Sequence, residues 1–259
     1  MLWMTASLLH FDPGTPLYVF VYFATLFTYN IQRLFMAEAY LGPETLGRHR
    51  WIWEHRPALH VLTILSALVL FVCIFYIPFY FLVWLMPAAF ISALYFLPFY
   101  RSGGNWKRLR DVPLLKINLV GFTWVWALVA APALTFGIPW PQWWALFVFE
   151  FFLCFGLTVP FDIRDSRYDR EKGTRTFVSE WGIRPAKWFS IASVLTGLFF
   201  LPFGNFGIKV YLVLTFWVLA SAISVYMTSE HRNELYYGFW LDGFIVAQGL
   251  LVYVVLACF

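Results

Sequence analysis

Long apolar runs separated by short polar segments dominate this chain. Runs of about 20 residues, the length that a helix needs to cross the hydrocarbon core of a bilayer, recur from residue 16 to the C-terminal end. We predict eight membrane spans, over residues 16–37, 57–77, 79–100, 113–132, 141–161, 188–203, 208–227 and 238–258. The opening "MLWMTASLLHF" is too short to span. We interpret it as an interfacial segment or as the remnant of a lost helix.

Composition supports an all-α membrane protein. Hydrophobic residues make up 61% of the 259 residues and charged residues only 12%, against about 25% charged residues in soluble domains. We therefore predict a polytopic bundle that forms a single domain over residues 1–259. The three cysteines lie inside apolar segments and lack the spacing of a disulfide framework or a zinc site, so we interpret them as small buried apolar residues: Cys73, Cys154 and Cys258.

The distribution of Lys and Arg predicts the orientation of the bundle. The loops that follow the odd-numbered spans hold most of these residues, whereas the loops on the opposite side hold Lys209 alone. The positive-inside rule therefore places the basic loops in the cytoplasm and both termini on the other side of an inner, cytoplasmic membrane. The formal net charge of +4 then reflects membrane topology, and we expect no nucleic-acid partner.

The stretch "PFDIRDSRYDREKGTRT" at residues 160–176 interrupts the apolar pattern with dense mixed charge. Asp162, Asp165 and Asp169 fall on one face if the fifth span continues as a helix. Such a row of like charges is self-repelling, but it suits Mg²⁺, which shares its ligands between carboxylates and substrate phosphates. The interleaved bases could then bind phosphate oxygens. Alternatively, this is a solvated helix whose charges pair with each other and with lipid headgroups; the spacing leaves both interpretations open.

A resemblance to a known family bears on this choice. "DIRDSRYDREKGTRTFVSEWG" resembles the second aspartate-rich motif of the UbiA superfamily of intramembrane prenyltransferases, Asp-x-x-Asp-x-x-x-Asp followed by Lys-x-Gly-x-Arg-Thr. "FTYNIQRLFMAEA" corresponds to the first motif of the family, and "FYRSGGNWKRLRDVPLLKINLVGFTWVW" resembles the region that enters its middle helices. The resemblance extends from residue 16 onward. It implies helices around a central cavity, with the first of the usual nine helices missing.

The first motif departs from the family pattern. The family has Asn-Asp-x-x-Asp-x-x-x-Asp, whereas this chain keeps Asn30 and places Leu34 and Glu38 at the two later acidic positions. In another alignment, Gln32 stands where an aspartate precedes Arg33. Either way, Glu38 is the one carboxylate that the motif retains. The amide oxygens of Asn30 and Gln32 can coordinate a cation, but more weakly than a carboxylate does.

The resemblance implies Mg²⁺-dependent transfer of an isoprenyl group from an isoprenyl diphosphate to a lipophilic acceptor within the bilayer. The catalytic residues that it implies are Asp162, Asp165, Asp169, Asn30, Gln32 and Glu38. Of these, Asp162, Asp165, Asp169 and Asn30 would hold Mg²⁺. The implied substrate-binding residues are Arg33, Lys107, Arg108, Lys172, Arg175 and Asn118, the last of which enters the fourth span beside Lys116.

Other functions stay open. A cyclase could use the same scaffold, and a divergent, non-catalytic homologue could bind a lipid or quinone or join a membrane-protein complex. The degenerate first motif favours the non-catalytic alternative, whereas the intact second motif favours the enzyme. Glu150 is a further polar residue in mid-span, where an ionisable group is costly. It could orient an acceptor or be a protonated structural carboxyl.

Overall fold

The computed structural model describes residues 1–40, 47–102, 105–112, 115–166, 170 and 176–258. The helices there are α1 (Leu2–Leu8), α2 (Gly14–Tyr40), α3 (Gly47–Glu54), α4 (Arg56–Cys73), α5 (Phe79–Phe96), α6 (Leu115–Val125), α7 (Ala131–Thr135), α8 (Trp140–Arg164), α9 (Phe177–Trp181), α10 (Ile183–Thr196), α11 (Ile208–Tyr226) and α12 (Asp242–Cys258). Two π-helical turns, Trp126–Ala130 and Tyr236–Leu241, precede α7 and α12. Short 3₁₀ turns are Leu109–Asp111, Gly197–Phe199 and Leu201–Gly204. A small antiparallel hairpin, which the sequence did not indicate, pairs β1 (Tyr100–Ser102) with β2 (Asn105–Lys107).

The helices form two compact units, Met1–Asp12 with Phe81–Phe259, and Pro13–Tyr80. In the smaller unit, α2 packs along α4, and Leu34, Ile52 and Leu59 form a buried apolar cluster. We refer to the larger one as the α8 unit, because α8 is its central helix. In the membrane-spanning stretch of α8, 67% of the residues are buried inside the protein, compared with 33% in that of α11. α8 packs against α6 and α10 along its length.

Close packing fixes α8 against α10. A Cβ atom on Gly156 would collide with the side chain of Val194 and would lie 2.8 Å from the carbonyl oxygen of Ser190. The hydroxyl of Ser190 donates a hydrogen bond of 2.5 Å to the carbonyl of Gly156, and Ser193 donates one of 3.0 Å to that of Phe152. Small residues of this kind let helices in a membrane approach closely. The contact therefore holds the C-terminal half of α8, where the charged stretch begins.

Seven helical segments among the described residues are long and apolar enough to cross a membrane, and they correspond to the second through eighth predicted spans. The first predicted span lies within α2, which has 27 residues. The mean hydropathy of α2 is lower than that of the other seven segments, because the polar residues Asn30, Gln32 and Arg33 interrupt its apolar sequence. The predicted helical membrane bundle is thus confirmed. The third predicted span is shorter than expected, since α5 ends at Phe96 and Tyr100 enters the hairpin.

The N-terminal segment is a buried helix rather than an interfacial one. Leu2, Met4 and Leu8 on α1 are all buried, and α1 packs against α12 and the π-helical turn at Trp126–Ala130. The ring of Trp3 stacks on that of Tyr253 with the ring centroids 4.0 Å apart. The apolar character of this segment therefore serves the core of the α8 unit.

Candidate active site

Asp162 lies in the last turn of α8 and is almost fully buried, with a relative exposure of 1%. A short loop joins the α6–α7 segment to α8, so the start of α6 comes beside the end of α8. Lys116, in the first turn of α6, therefore reaches Asp162, and its Nζ lies 2.5 Å from Oδ1. A hydrogen bond between two charged groups is among the stronger interactions in proteins. This ion pair compensates the burial of both charges.

Asp165 follows the last residue of α8 and is held by Arg164. Its backbone N–H donates a 3.0 Å hydrogen bond to the carbonyl of Phe161, which completes the helix. The Arg164 guanidinium donates from Nε to Oδ1 at 2.8 Å and from Nη2 to Oδ2 at 3.0 Å. The same guanidinium lies over the rings of Phe161 and Tyr237, at 5.1 and 5.5 Å from their centroids. Arg164 is thus oriented by aromatic faces as well as by charge.

Two carboxylates therefore lie one turn apart at the end of α8, each paired with a base. Carboxylate oxygens are the ligands that Mg²⁺ prefers, and Mg²⁺ is typically bound through one or two carboxylates together with substrate phosphates. Asp162 and Asp165 meet this requirement, although a cation would compete with Lys116 and Arg164 for their oxygens. Within the part of the chain that the structure describes, no group of three or more His, Cys, Asp or Glu residues could hold a metal ion.

Several predicted residues are placed only in part. Asp169, Lys172 and Arg175 lie outside the described residues, so the predicted row of three aspartates is represented by its first two members. The backbone of Lys107 pairs with Tyr100 in the hairpin, while its side chain is outside the described part. Arg108 lies between β2 and the turn at Leu109–Asp111. Thr176, the last residue of the second motif, caps α9: its hydroxyl accepts from the backbone N–H of Ser179 at 3.2 Å.

The residues of the first motif lie on α2, in the smaller unit. Asn30 is buried, and its Nδ2 has no hydrogen-bond partner among the described residues. Gln32 is partly buried. The guanidinium of Arg33 lies 4.0 Å from the centroid of the Tyr29 ring. Glu38 belongs to α2 by its backbone, and its side chain is outside the described part. That these residues share one site with Asp162 stays a prediction.

An aromatic crevice of about 220 Å³ lies between α6, α8 and α10. Its walls include Asn118, Phe151, Phe152, Phe155, Phe189 and Ser193. Phe155 and Asp162 are seven residues apart, which places them on the same side of α8 about two turns from each other. The predicted substrate-binding residue Asn118 therefore lines an apolar crevice on the face of α8 that also carries Asp162.

Sequence reasoning placed Lys116 at the mouth of the fourth span but gave it no partner, and it missed Glu234 and Tyr237. Glu234 lies 3.7 Å from Arg164 Nη1, and Tyr237 belongs to the π-helical turn before α12. No local pattern could have indicated either residue, because both reach Arg164 through long-range packing. The sequence offered one signal for a partner of Asp162, a charged residue close to the start of an apolar span, and that residue is Lys116.

Glu150, in the middle of α8, has the buried partner Gln248 on α12. Gln248 Nε2 donates a hydrogen bond of 2.7 Å to Glu150 Oε1, and both side chains are buried. The second oxygen, Oε2, has no hydrogen-bond partner among the described residues. Glu150 precedes Asp162 by twelve residues, a separation of about 18 Å along the helix axis. The pair is therefore distinct from the charged end of α8.

Comparison with known proteins adds a family and a fold. A sequence model described as the UbiA prenyltransferase family matches residues 54–241. The structure of a UbiA homolog from Archaeoglobus fulgidus bound to GPP and Mg²⁺ is similar to this chain, with a TM-score of 0.68 and 13% identity over 99% of this chain and 93% of that one. The structure of a UbiA homolog from the same organism bound to DMAPP and Mg²⁺ has a TM-score of 0.66 and 12% identity, over 100% of this chain and 94% of that one. A third structure of a UbiA homolog from this organism has a TM-score of 0.57 and 14% identity, over 99% of this chain and 93% of that one. Among curated proteins, none matches the chain significantly.

Proposed function

Because the chain belongs to the UbiA prenyltransferase family, we propose that it transfers an isoprenyl group from an isoprenyl diphosphate to a lipophilic acceptor within the membrane. The observation that carries this proposal is the pair of aspartates at the end of α8, Asp162 and Asp165, with Lys116 and Arg164 bound to them. Four charged side chains thus converge where a long apolar helix ends. A lipid with a diphosphate head and an apolar tail matches that arrangement.

Each side chain has a role in the proposed reaction. The bond between C1 of the isoprenyl chain and the diphosphate oxygen breaks, and its electron pair leaves with the diphosphate. Lys116 and Arg164 can turn from the carboxylates to the phosphate oxygens and stabilise the growing negative charge. The acceptor then forms a bond to C1 and loses a proton, which the departing diphosphate can accept. The aromatic faces of Phe151 and Phe155 in the crevice suit the positive charge that develops on the allylic carbon.

Asp162 and Asp165 would hold Mg²⁺ through their carboxylate oxygens. When bound, the cation neutralises charge on the diphosphate leaving group. Two structures of a UbiA homolog bound to an isoprenyl diphosphate and Mg²⁺ support the choice of cation, and the donor chemistry of the two aspartates supports the choice of ligands. Asp169 and Asn30 are the further ligands in this proposal. Lys107, Arg108, Lys172, Arg175 and Arg33 would contact the diphosphate.

The proposal also assigns sidedness. Seven long apolar helices among the described residues indicate an integral membrane protein. One basic loop precedes the span that begins beside Lys116, and another follows the span that ends beside Asp162. The positive-inside rule places such loops in the cytoplasm. The isoprenyl diphosphate would therefore enter from the cytoplasmic leaflet, and the acceptor would come from the bilayer.

Binding of a non-hydrolysable isoprenyl thiodiphosphate to the purified protein, with and without Mg²⁺, tests the proposal. We expect Mg²⁺-dependent binding that Asp165→Asn abolishes and that Gln32→Asp preserves or tightens. Glu54→Gln is the matched control, because it removes a carboxylate from α3 that is paired with Arg50 in an exposed position. Its binding should equal that of the parent protein. Metal-independent binding, or no binding at all, would refute transfer.

The second candidate function is a non-catalytic lipid- or quinone-binding subunit of a membrane complex. The ion pairs favour it, because Lys116 and Arg164 already satisfy the two aspartates, and the first motif has amides where the family has acids. This candidate predicts that a quinone or lipid binds without Mg²⁺ and that Asp165→Asn leaves that binding intact. The same titration therefore distinguishes the two functions.

A further inference from the structure

The loop that joins α11 to the π-helical turn before α12 (residues 227–235) carries both acids and bases. Its two acids contact bases near the end of α8. Glu230 Oε2 lies 3.1 Å from Arg170 Nη2, and Glu234 Oε2 lies 3.7 Å from Arg164 Nη1. The carboxylates of this loop are therefore engaged by the charged stretch that follows α8.

The bases of the same loop line a surface cavity of about 540 Å³. The walls of this cavity are formed by His231, Arg232, Asn233, Leu235, Tyr236 and Trp240, and neither acid of the loop is among them. Arg232 is exposed, and its guanidinium lies 5.3 Å from the centroid of the Tyr236 ring. Its Nε donates a hydrogen bond of 3.2 Å to the carbonyl of Met227. The cavity thus combines a positive charge with aromatic rings.

A second base, Lys187 on α10, lies close to Arg232. Its Nζ donates a hydrogen bond of 3.0 Å to the carbonyl of Tyr226, the residue before Met227, so both bases meet at the end of α11. Their positive charges repel each other, and the end of a helix offsets only about half a charge. Among the residues that the structure describes, neither base forms an ion pair with a carboxylate. The pair therefore suits an anion.

The cavity lies at the level of the bundle where the apolar helices end. The exposed rings of Trp188, Tyr226 and Trp240 lie around the two bases, and Trp and Tyr are enriched at the membrane–water interface. The loop contacts the charged end of α8 through its acids, so it lies on the side that the proposed orientation places in the cytoplasm. Anionic lipids give the cytoplasmic leaflet its negative surface potential.

We propose that the cavity beside Lys187 and Arg232 binds the phosphate of an anionic phospholipid of the cytoplasmic leaflet. The guanidinium and the ammonium group contact the phosphate oxygens, and the rings of Tyr236 and Trp240 pack against the glycerol and the start of the acyl chains. A soluble phosphate would make the first contact but not the second, because it has no apolar part. This site is separate from Asp162 and does not depend on the proposed transfer.

Two lipids that share a phosphate and acyl chains test the proposal. The full-length protein in neutral detergent is titrated with phosphatidylglycerol or with phosphatidylcholine, and native mass spectrometry measures the fraction with bound lipid. We expect phosphatidylglycerol, which carries a net negative charge, to bind about tenfold more tightly. Arg232→Gln and Lys187→Gln should each weaken its binding by about fivefold and leave that of phosphatidylcholine within about twofold. Arg232→Lys keeps the charge and should give a smaller loss.

Arg184→Gln is the matched control, because it removes an exposed positive charge from the same helix as Lys187, and both affinities should stay within about twofold of the parent values. An equal loss in this control would refute the site, since the effect would then come from net charge. Equal binding of the two lipids to the parent protein would also refute it. If glycerol phosphate displaces phosphatidylglycerol with comparable affinity, the ligand is a soluble phosphate and the lipid site is refuted.

Thermal unfolding separates lipid binding from a purely structural role of the two bases. Lys187 and Arg232 both donate to carbonyls at the end of α11, so their loss lowers stability if they serve only to hold that helix end. If Arg232→Gln and Lys187→Gln unfold at lower temperature but keep the full preference for phosphatidylglycerol, the bases have this structural role alone and the proposal is wrong. A reduced preference in variants that unfold close to the parent temperature supports the lipid site.

Discussion

The two buried carboxylate sites of α8 show how position along one helix changes the role of a polar group. At the end of the helix, Asp162 is paired with the base Lys116. In the middle, Glu150 accepts one hydrogen bond from the neutral amide of Gln248, and its second oxygen has no partner among the described residues. Both carboxyl groups are almost completely buried. The end site is thus built from side chains of opposite charge, whereas the one side-chain hydrogen bond at the middle site among the described residues comes from a neutral amide.

This difference indicates which site can exchange partners. A buried ion pair near the end of a helix can be replaced by another arrangement of charges when a cation and a phosphate arrive together. A carboxyl hydrogen-bonded to an amide in mid-span lies far from the loops through which a cation and a phosphate would arrive, and a buried polar pair of this kind rigidifies the core around it. The end site is therefore the candidate for function and the middle site the candidate for stability.

The largest expected effect comes from Asp162→Asn. The substitution leaves Lys116 buried without a counter-charge, and breaking such a pair costs about 3–5 kcal/mol of stability. We expect Mg²⁺-dependent thiodiphosphate binding to fall about a hundredfold or more, the range typical of lost electrostatic stabilisation at active sites. Thermal unfolding and ligand titration in detergent measure the two effects. The variant Glu150→Gln is the control and should keep its binding.

A double substitution separates stability from binding in this prediction. Lys116→Met combined with Asp162→Leu removes both charges, and replacing both partners of a buried pair by apolar residues of similar volume is often neutral. Stability should recover toward that of the parent protein, while binding should not. If binding in Asp162→Asn stays close to that of the parent protein, the end of α8 is not the diphosphate site.

The sequence predicted most of the helices and drew attention to the carboxylates on both sides of this comparison, but not to their partners. Apolar runs of span length indicate membrane helices whatever their partners, and seven of the eight predicted spans correspond to long apolar helical segments among the residues that the structure describes. The aspartate spacing likewise identified Asp162 and Asp165. The sequence could not identify Gln248 or Tyr237 as partners, because these contacts depend on how distant helices pack. It also could not show that the short segment before residue 12 is buried, since apolar character suits an interface and a core equally.

A smaller effect is expected at the middle site from Gln248→Leu. The substitution removes the one donor to Glu150, and a buried group left without its hydrogen bond costs about 1–3 kcal/mol. Binding should stay within about twofold of the parent value, because the site lies far from Asp162. The double variant with Glu150→Leu should regain most of the lost stability, since replacing both partners by apolar groups can be nearly neutral. A large loss of binding in Gln248→Leu would instead connect the middle site to function.

The smallest effect that we predict concerns Arg164, and it tests whether the ion pairs compete with the metal. Arg164→Lys keeps the positive charge but cannot make two parallel hydrogen bonds to Asp165. Because the weaker pair competes less for the carboxylate, the Mg²⁺ concentration for half-maximal thiodiphosphate binding should fall by about threefold, a change of about 0.6 kcal/mol. Arg50→Lys is the matched control, since Arg50 pairs with the exposed Glu54 on α3, and it should change nothing. A rise in the required Mg²⁺ would mean that Arg164 does not compete with the metal for Asp165, and the exchange of partners at the end of α8 would then involve Lys116 and Asp162 alone.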